Sequence, residues 1–260
     1  MKVMILCGGQ GTRLREYTEL RPKPMVEIGG RPILWHIMKW YDRFGLKDFV
    51  LCLGYKAALI KEYFLNYETM NSDFTIQLGR PHRIDLHERT HDEPDWRVTL
   101  ADTGDKAMTG ARIRRAAKYL GNPRETFCLT YGDGVSDVDL RAALAFHRSH
   151  GKLATVTGVR PPGRFGELRT EGSRVAGFAE KSQIGQGLIN GGFFFFEPEF
   201  LDYLSDDDAC LLEHEPLERC TADGQLYVYE HTGFWQCMDT ARDLELLERL
   251  WESGKAPWKT

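Results

Sequence analysis

The sequence contains no apolar run of the about 18 residues that a membrane-spanning helix needs, and its first apolar run, "VMILC", stops at Gly8. No membrane span or secretory leader is expected. None of the six cysteines, Cys7, Cys52, Cys128, Cys210, Cys220 and Cys237, stands at CxxC spacing, and the first three fall inside apolar stretches. A zinc ribbon or disulfide scaffold is thereby excluded, and reduced thiols in the cytoplasm are expected. Neither sign of charge dominates: 34 Lys and Arg stand against 38 Asp and Glu, a formal net charge of −4, spread along the chain. The basic field that would draw the protein to nucleic acid or a lipid surface is missing. Internal repeats and low-complexity linkers are missing too. With 260 residues, 42% of them apolar, the chain is expected to form one large domain with an ordinary core.

What is present is an alternation of strand and helix patterns. "KVMILC", "DFVLCLG" and "TFCLTYG" read as buried strands; "PILWHIMKWYDRFG", "KAALIKEYFLNY" and "TGARIRRAAKYLG" read as amphipathic helices between them. Continuous apolar strands separated by helices predict an α/β fold with a mostly parallel central sheet covered by helices. From "KLATVTGVR" onward the apolar residues alternate, so an antiparallel or mixed part is expected over 151–260, closed by the helix "TARDLELLERLWESG". The polar stretch 73–102 interrupts the rhythm of the first half, 1–150, and suits a hairpin-like insertion. Trp35, Trp40 and the run Phe193 to Phe196 are candidates for core or interface.

The turn after the first strand is "GGQGTRL", Gly8 to Leu14. Without Cβ atoms, its backbone N–H groups are free to converge on phosphate oxygens. It is not a dinucleotide fingerprint, because Leu14 stands where the third glycine belongs, and no Gly-Lys-Ser/Thr follows to make a Walker loop. It carries Arg13 instead, and ten residues later "RPKPM" holds Lys23 between two prolines that restrict the backbone. A glycine cradle with two cations exceeds what a structural turn needs.

Two acidic positions complement it. "YGDG" puts Asp133 at the carboxyl end of a strand, where open α/β sheets bind ligands, and "GFWQCMDT" puts Asp239 just before the last helix. Ordinary helix capping is the other reading of each aspartate; with a phosphate cradle, the two suggest Mg²⁺ shared with substrate phosphates. His87 to His91, "HERTH", spells a zinc-protease pattern, but its flanks are polar, with Pro94 just beyond and no apolar helix face, so a chance match is expected.

"GGQGTRL" and "RPKPM" together resemble the signature of the sugar-1-phosphate nucleotidylyltransferases. "DTGDKAMTGARIRR", "PPGRFG", "INGGFF", "EPLE", "GFWQCMDTARD" and "LWESGKAPWK" are similar to the branch of that family that uses CTP and glucose 1-phosphate. The resemblance implies a Rossmann-like nucleotidyltransferase fold, Mg²⁺ dependence, a homo-oligomer, and synthesis of a CDP-sugar for bacterial surface polysaccharide. It assigns Leu6, Cys7, Gly8, Gly9, Gln10, Gly11, Thr12, Arg13, Lys23, Thr109, Gly110, Arg112 and Arg114 to the nucleotide. Gly166, Glu180, Lys181, Asn190 and Gly191 go to the sugar phosphate, Asp133 and Asp239 to the metal, and Arg13, Lys23 and Asp133 to catalysis. The chain departs from the family pattern at Cys7, where alanine is usual, and at Cys237, where proline is usual. Use of UTP, dTTP, GTP or another sugar phosphate stays open, as does a non-catalytic nucleotide sensor of the same fold.

Overall fold

The computed structural model describes residues 1–79, 83–89, 93, 95–161, 167–171, 174–179 and 187–259. Its centre is a seven-stranded sheet. The strand Val3–Cys7 lies in the interior, parallel to Asp48–Leu53 on one side and to Phe127–Tyr131 on the other. Arg97–Asp102 extends the first side in parallel. On the second side Ile189–Phe196 pairs antiparallel with Phe127–Tyr131 and with Ala154–Val159, and Leu226–His231 closes that edge in parallel.

Burial on both faces explains the continuous apolar strands. Val3, Ile5 and Cys7 face one core with the helices Ile33–Asp42 and Ala241–Glu252, whereas Met4 and Leu6 face a second core with the helix Thr109–Ala116. The four phenylalanines from Phe193 divide the same way, Phe193 and Phe195 to the first core, Phe194 and Phe196 to the second. Each is at most 3% exposed, so the run is core. At about 1.5–3 kcal/mol for each large apolar side chain removed from water, these two layers dominate the stability of the fold.

One expectation needs correction. The hairpin is smaller than 73–102: among the described residues it comprises Ser72–Gln77 and Arg83–Arg89, while Arg97–Asp102 belongs to the central sheet. The weak alternation of Arg97–Asp102 comes from its place at the sheet edge, where Ala101 is buried and Arg97 and Asp102 are exposed. The expected mixed part over 151–260 is present: Ile189–Phe196 runs antiparallel to both of its neighbours, Leu226–His231 pairs in parallel with Ala154–Val159, and Glu167–Glu171 pairs antiparallel with Arg174–Ala179. Gly134–Ser136 pairs antiparallel with Trp235–Cys237. All six cysteines are free. Among the described residues no helix is long and apolar enough to cross a membrane.

Candidate active site

The strands Val3–Cys7, Asp48–Leu53 and Phe127–Tyr131 are parallel, so their carboxyl ends share one edge of the sheet. There the chain departs to opposite sides of the first strand and leaves a crevice, the usual ligand site of an open α/β sheet. The glycine loop fills its rim. Gly11 has φ +62, and its carbonyl accepts from Leu14 N and from Thr18 Oγ1, both at 3.0 Å, which closes the turn. A cavity of ≈ 300 Å³ opens beside it, lined by Leu6, Gly8, Gly9, Gly11, Thr12, Arg13 and Lys23, with Thr109, Arg112, Tyr131 and Asp133 opposite. Cys7 is wholly buried in the strand and Gln10 is exposed; neither is in that lining.

Lys23 sits in a short turn entered through Pro22 in an extended conformation. Its ammonium donates to Asp133 Oδ2 and to Asp239 Oδ1, each at 2.6 Å. A short ladder brings the two aspartates together: Gly134 pairs with Cys237, and the Asp133 carbonyl accepts from Met238 N at 2.8 Å. Neither caps a helix. The last helix is capped by Thr240, with Asp243 completing the capping box. Burial works against the Lys23 charge, but Asp133 and Asp239 outweigh it and raise the pKa. Asp239 shows the converse: burial would raise its pKa, yet Lys23 and Arg13, whose Nη1 is 2.9 Å from Oδ2, lower it. Burial, followed by the charges of Asp239 and Asp133, pushes the Cys237 thiol up to about 12. It therefore remains a thiol, with Sγ 3.5 Å from Asp239 Oδ2.

A second cavity, ≈ 320 Å³, adjoins the first and shares Arg13, Tyr131 and Asp133 with it. Its far wall is Asn190, Gly191, Gly192 and Trp235, and its near wall includes Asp239. Gly192 has φ +80, and a Cβ there would fall 2.4 Å from the Tyr131 ring, so only glycine lets these walls meet. Trp235 Nε1 donates to the Gly191 carbonyl at 2.7 Å and holds that wall in place.

The other expected residues are placed as follows. Thr109 faces the first cavity, whereas Gly110 lies against Cys210, whose Sγ would be 2.6 Å from an added Cβ. Arg112 is 4% exposed and donates to the carbonyls of Gly8, Leu53, Gly104 and Asp105 and to Thr103 Oγ1. Its guanidinium joins the glycine loop to the ends of two neighbouring strands. Arg114 is exposed and lines neither cavity. Gly166, Glu180 and Lys181 lie outside the described residues. So do Thr90 and His91 of the zinc-like pattern, whereas His87 is exposed on the strand Arg83–Arg89, where it meets Thr75 Oγ1 at 2.9 Å. Among the described residues no group of three or more His, Cys, Asp and Glu could hold a metal.

Three residues of the site escaped the sequence reading: Tyr131, Trp235 and Glu213. The first two lie inside quoted motifs, "YGDG" and "GFWQCMDT", beside the aspartates that drew notice. Glu213 precedes "EPLE" and meets Thr109 Oγ1 at 2.7 Å and the Tyr131 hydroxyl.

Residues 2–245 match the family model described as "Nucleotidyl transferase". The chain is 53% identical over 260 residues to the glucose-1-phosphate cytidylyltransferase of Salmonella typhi, covering 100% of this chain and 99% of that protein. It is 31% identical over 248 residues to the mannose-1-phosphate guanylyltransferase catalytic subunit beta of Dictyostelium discoideum, covering 94% of this chain and 62% of that one. Among solved structures, HddC from Yersinia pseudotuberculosis complexed with GMP-PN superposes with a TM-score of 0.68 at 23% identity, covering 96% of this chain and 99% of that one. A UDP-glucose pyrophosphorylase complexed with UDP-glucose has the same TM-score at 14% identity, covering 97% and 98%. Those two likenesses are of fold.

Proposed function

The chain belongs to the nucleotidyl transferase family, and from that premise we propose that it joins CTP to α-D-glucose 1-phosphate, giving CDP-glucose and pyrophosphate. The observation that carries this reading is the meeting of two cavities at Asp133, Arg13 and Tyr131, one rimmed by the glycine loop and one by Asn190 and Gly191. Two anionic substrates need two adjoining compartments with cations at the junction. The full-length identity to the Salmonella typhi enzyme supplies the substrate pair.

In the proposed reaction an oxygen of the sugar phosphate attacks the α-phosphorus of CTP. The new O–P bond forms as the bond to pyrophosphate breaks, and its electron pair leaves with the pyrophosphate. The nucleophile is already ionised at neutral pH, so no general base is needed; position and charge compensation carry the catalysis. The backbone of Gly8, Gly9 and Gly11 cradles the triphosphate. Arg13, with a 73% exposed side chain, is free to follow the departing pyrophosphate, and Lys23 approaches the α-phosphate from its seat between the aspartates. Asn190 and Gly191 receive the sugar, and Lys181 its phosphate. Asp133 and Asp239 flank the Lys23 ammonium, and as hard oxygen donors facing the shared cavity they would hold Mg²⁺ beside it, with phosphate oxygens and water completing its shell. When bound, Mg²⁺ supplies charge neutralisation between the two phosphates.

Six free thiols suit a reducing compartment, the cytoplasm. A homo-oligomer is supported by the hairpin, where Phe74 pairs with Leu86 and Ile76 with Ile84, all of them exposed.

A matrix of nucleoside triphosphates against sugar 1-phosphates, scored by pyrophosphate release, tests the reading. CTP with glucose 1-phosphate is expected to be the fastest pair. Faster turnover with dTTP or GTP would assign another branch of the family, and nucleotide binding without pyrophosphate release would make the protein a sensor.

A further inference from the structure

Tyr131 is a wall of both cavities, and its hydroxyl meets one oxygen of Glu213. Thr109, in the lining of the first cavity, donates to the other oxygen of the same carboxylate at 2.7 Å. The direction of each bond is forced. Thr109 Oγ1 accepts from Leu212 N at 2.9 Å, so its own proton goes to Glu213. The Tyr131 hydroxyl faces a carboxylate oxygen of Glu213 on one side and Asn190 Nδ2 at 3.2 Å on the other, so it donates to Glu213 and accepts from Asn190. Asn190 Oδ1 accepts from Gly192 N at 2.8 Å, which fixes its amide and leaves one N–H for the second cavity.

Both chains of hydrogen bonds, one from each cavity, thus end on a single carboxylate. Glu213 is not among the residues lining either cavity. It stands just before the helix Glu215–Ala222, half-buried, on a segment that also packs on the start of the helix Thr109–Ala116 through Ala111 N to the Cys210 carbonyl at 3.1 Å. An ionised carboxylate only accepts, and bonds to it are stronger than neutral ones. No neutral side chain of the same shape can replace it: glutamine presents one acceptor oxygen and an amide with two donors, so at least one of the two hydroxyls would lose the acceptor of its proton.

We propose that Glu213 is a positioning residue for both substrates, orienting Thr109 toward the nucleoside triphosphate and, through Tyr131, Asn190 toward the sugar phosphate. The allocation of one cavity to each substrate rests on the function proposed above; the shared anchor does not. Since Glu213 lines neither cavity, its removal is expected to loosen both compartments while leaving the reacting groups in place.

The test is steady-state kinetics of Glu213→Gln, Thr109→Val and Tyr131→Phe, singly and in pairs, with the melting temperature of each variant measured alongside. Glu213→Gln is expected to raise the KM for CTP and the KM for glucose 1-phosphate together, each about 5- to 30-fold, with a smaller change in kcat. Thr109→Val should raise mainly the first and Tyr131→Phe mainly the second. In the Glu213→Gln background each should add much less than it does alone, because it removes a group already released. Movement of only one KM, or additive effects, overturns the proposal. Should Glu213→Gln fail to fold, the Thr109→Val and Tyr131→Phe pair decides: non-additive effects support the shared carboxylate and additive effects refute it. If the wild-type protein prefers another nucleotide or sugar phosphate, the same cycles are run with that pair, and if it binds without turnover, dissociation constants replace KM. Failure of the substrate reading therefore leaves the test of Glu213 intact.

Discussion

Lys23 donates to Asp133 at 2.6 Å across 110 positions of sequence, and the same ammonium donates to Asp239 at 2.6 Å across 216. One cation thereby closes a site built from the beginning, middle and end of the chain. With only 8% of Lys23 exposed, its charge depends on both carboxylates, and the ammonium in turn holds Asp239 below the usual carboxylate range.

Because charge at this junction is expected to stabilise the transition state, Asp133→Asn and Asp239→Asn should each lower kcat by about 100-fold or more. EDTA should abolish turnover by the wild-type protein and Mg²⁺ restore it. The measurement is pyrophosphate release. Activity that resists EDTA would remove the metal from the mechanism, and a variant with wild-type kcat would remove its aspartate.

Arg13 shares Asp239 with Lys23 but in a different setting, with its side chain 73% exposed. An exposed pair contributes about 0–1 kcal/mol, so Arg13→Ala should leave the melting temperature nearly unchanged. Its role is placed in the transition state, where charge grows on the pyrophosphate, so the loss should fall on kcat. Lys181→Ala, by contrast, should act on the KM for the sugar phosphate, whose charge is present before reaction. An Arg13 effect confined to KM would reverse these assignments.

Arg112 and Arg114 are two residues apart in the sequence, yet the structure separates them. Arg112→Met would remove the buried guanidinium that four backbone carbonyls and a hydroxyl now share; the Leu53 and Gly8 carbonyls keep Thr103 and Tyr55 as donors, whereas those of Gly104 and Asp105 lose this donor. A loss of about 2–4 kcal/mol is expected, together with a higher KM for CTP as the glycine loop loses its tie to the neighbouring strand ends. Arg114→Ala should stay within about 0.5 kcal/mol of wild type. Denaturant unfolding of both variants checks this, and equal losses would contradict it.

The meeting of the glycine loop and Lys23 at one cavity was legible in the sequence because the glycines come with Arg13 directly after a buried strand and two prolines single Lys23 out. Asp133 was legible from the glycines beside it. Glu213 was not: nothing in "LLEHEPLE" separates it from a surface acid, since its role comes from Thr109 and Tyr131, 104 and 82 positions away. The partners of Arg112 were hidden for a related reason. Its charge suggested a phosphate, but the ends of three strands converge there and their carbonyls claim the guanidinium first. The edge strand Arg97–Asp102 was hidden by partial burial, which blunts the apolar pattern that marked its neighbours.

His36 carries a prediction about acid stability that is independent of catalysis. It is 1% exposed and packs edge-on against Trp35, Trp251 and Trp258, with Nε2 donating to the Ile28 carbonyl at 2.8 Å. Burial is the main cause that lowers its pKa to about 4; the backbone carbonyls of Ile28 and Arg31 oppose it, and the charges of Arg31 and Lys259 reinforce it. Between about pH 6.5 and pH 4 the unfolded chain binds a proton at this position that the folded protein does not. Stability therefore rises with pH across that window and is lost as pH falls through it, by about 3 kcal/mol in total at 1.36 kcal/mol per unit. Burial lowers the His147 pKa as well and gives a pH dependence of the same sign, so the wild-type curve alone does not isolate the effect. His36→Gln keeps a donor for Ile28 and removes the titration. The difference in unfolding free energy between wild type and His36→Gln should widen in favour of the wild type by about 3 kcal/mol from pH 4 to pH 7. A difference that stays flat across that range would mean that the imidazole accepts its proton inside the fold.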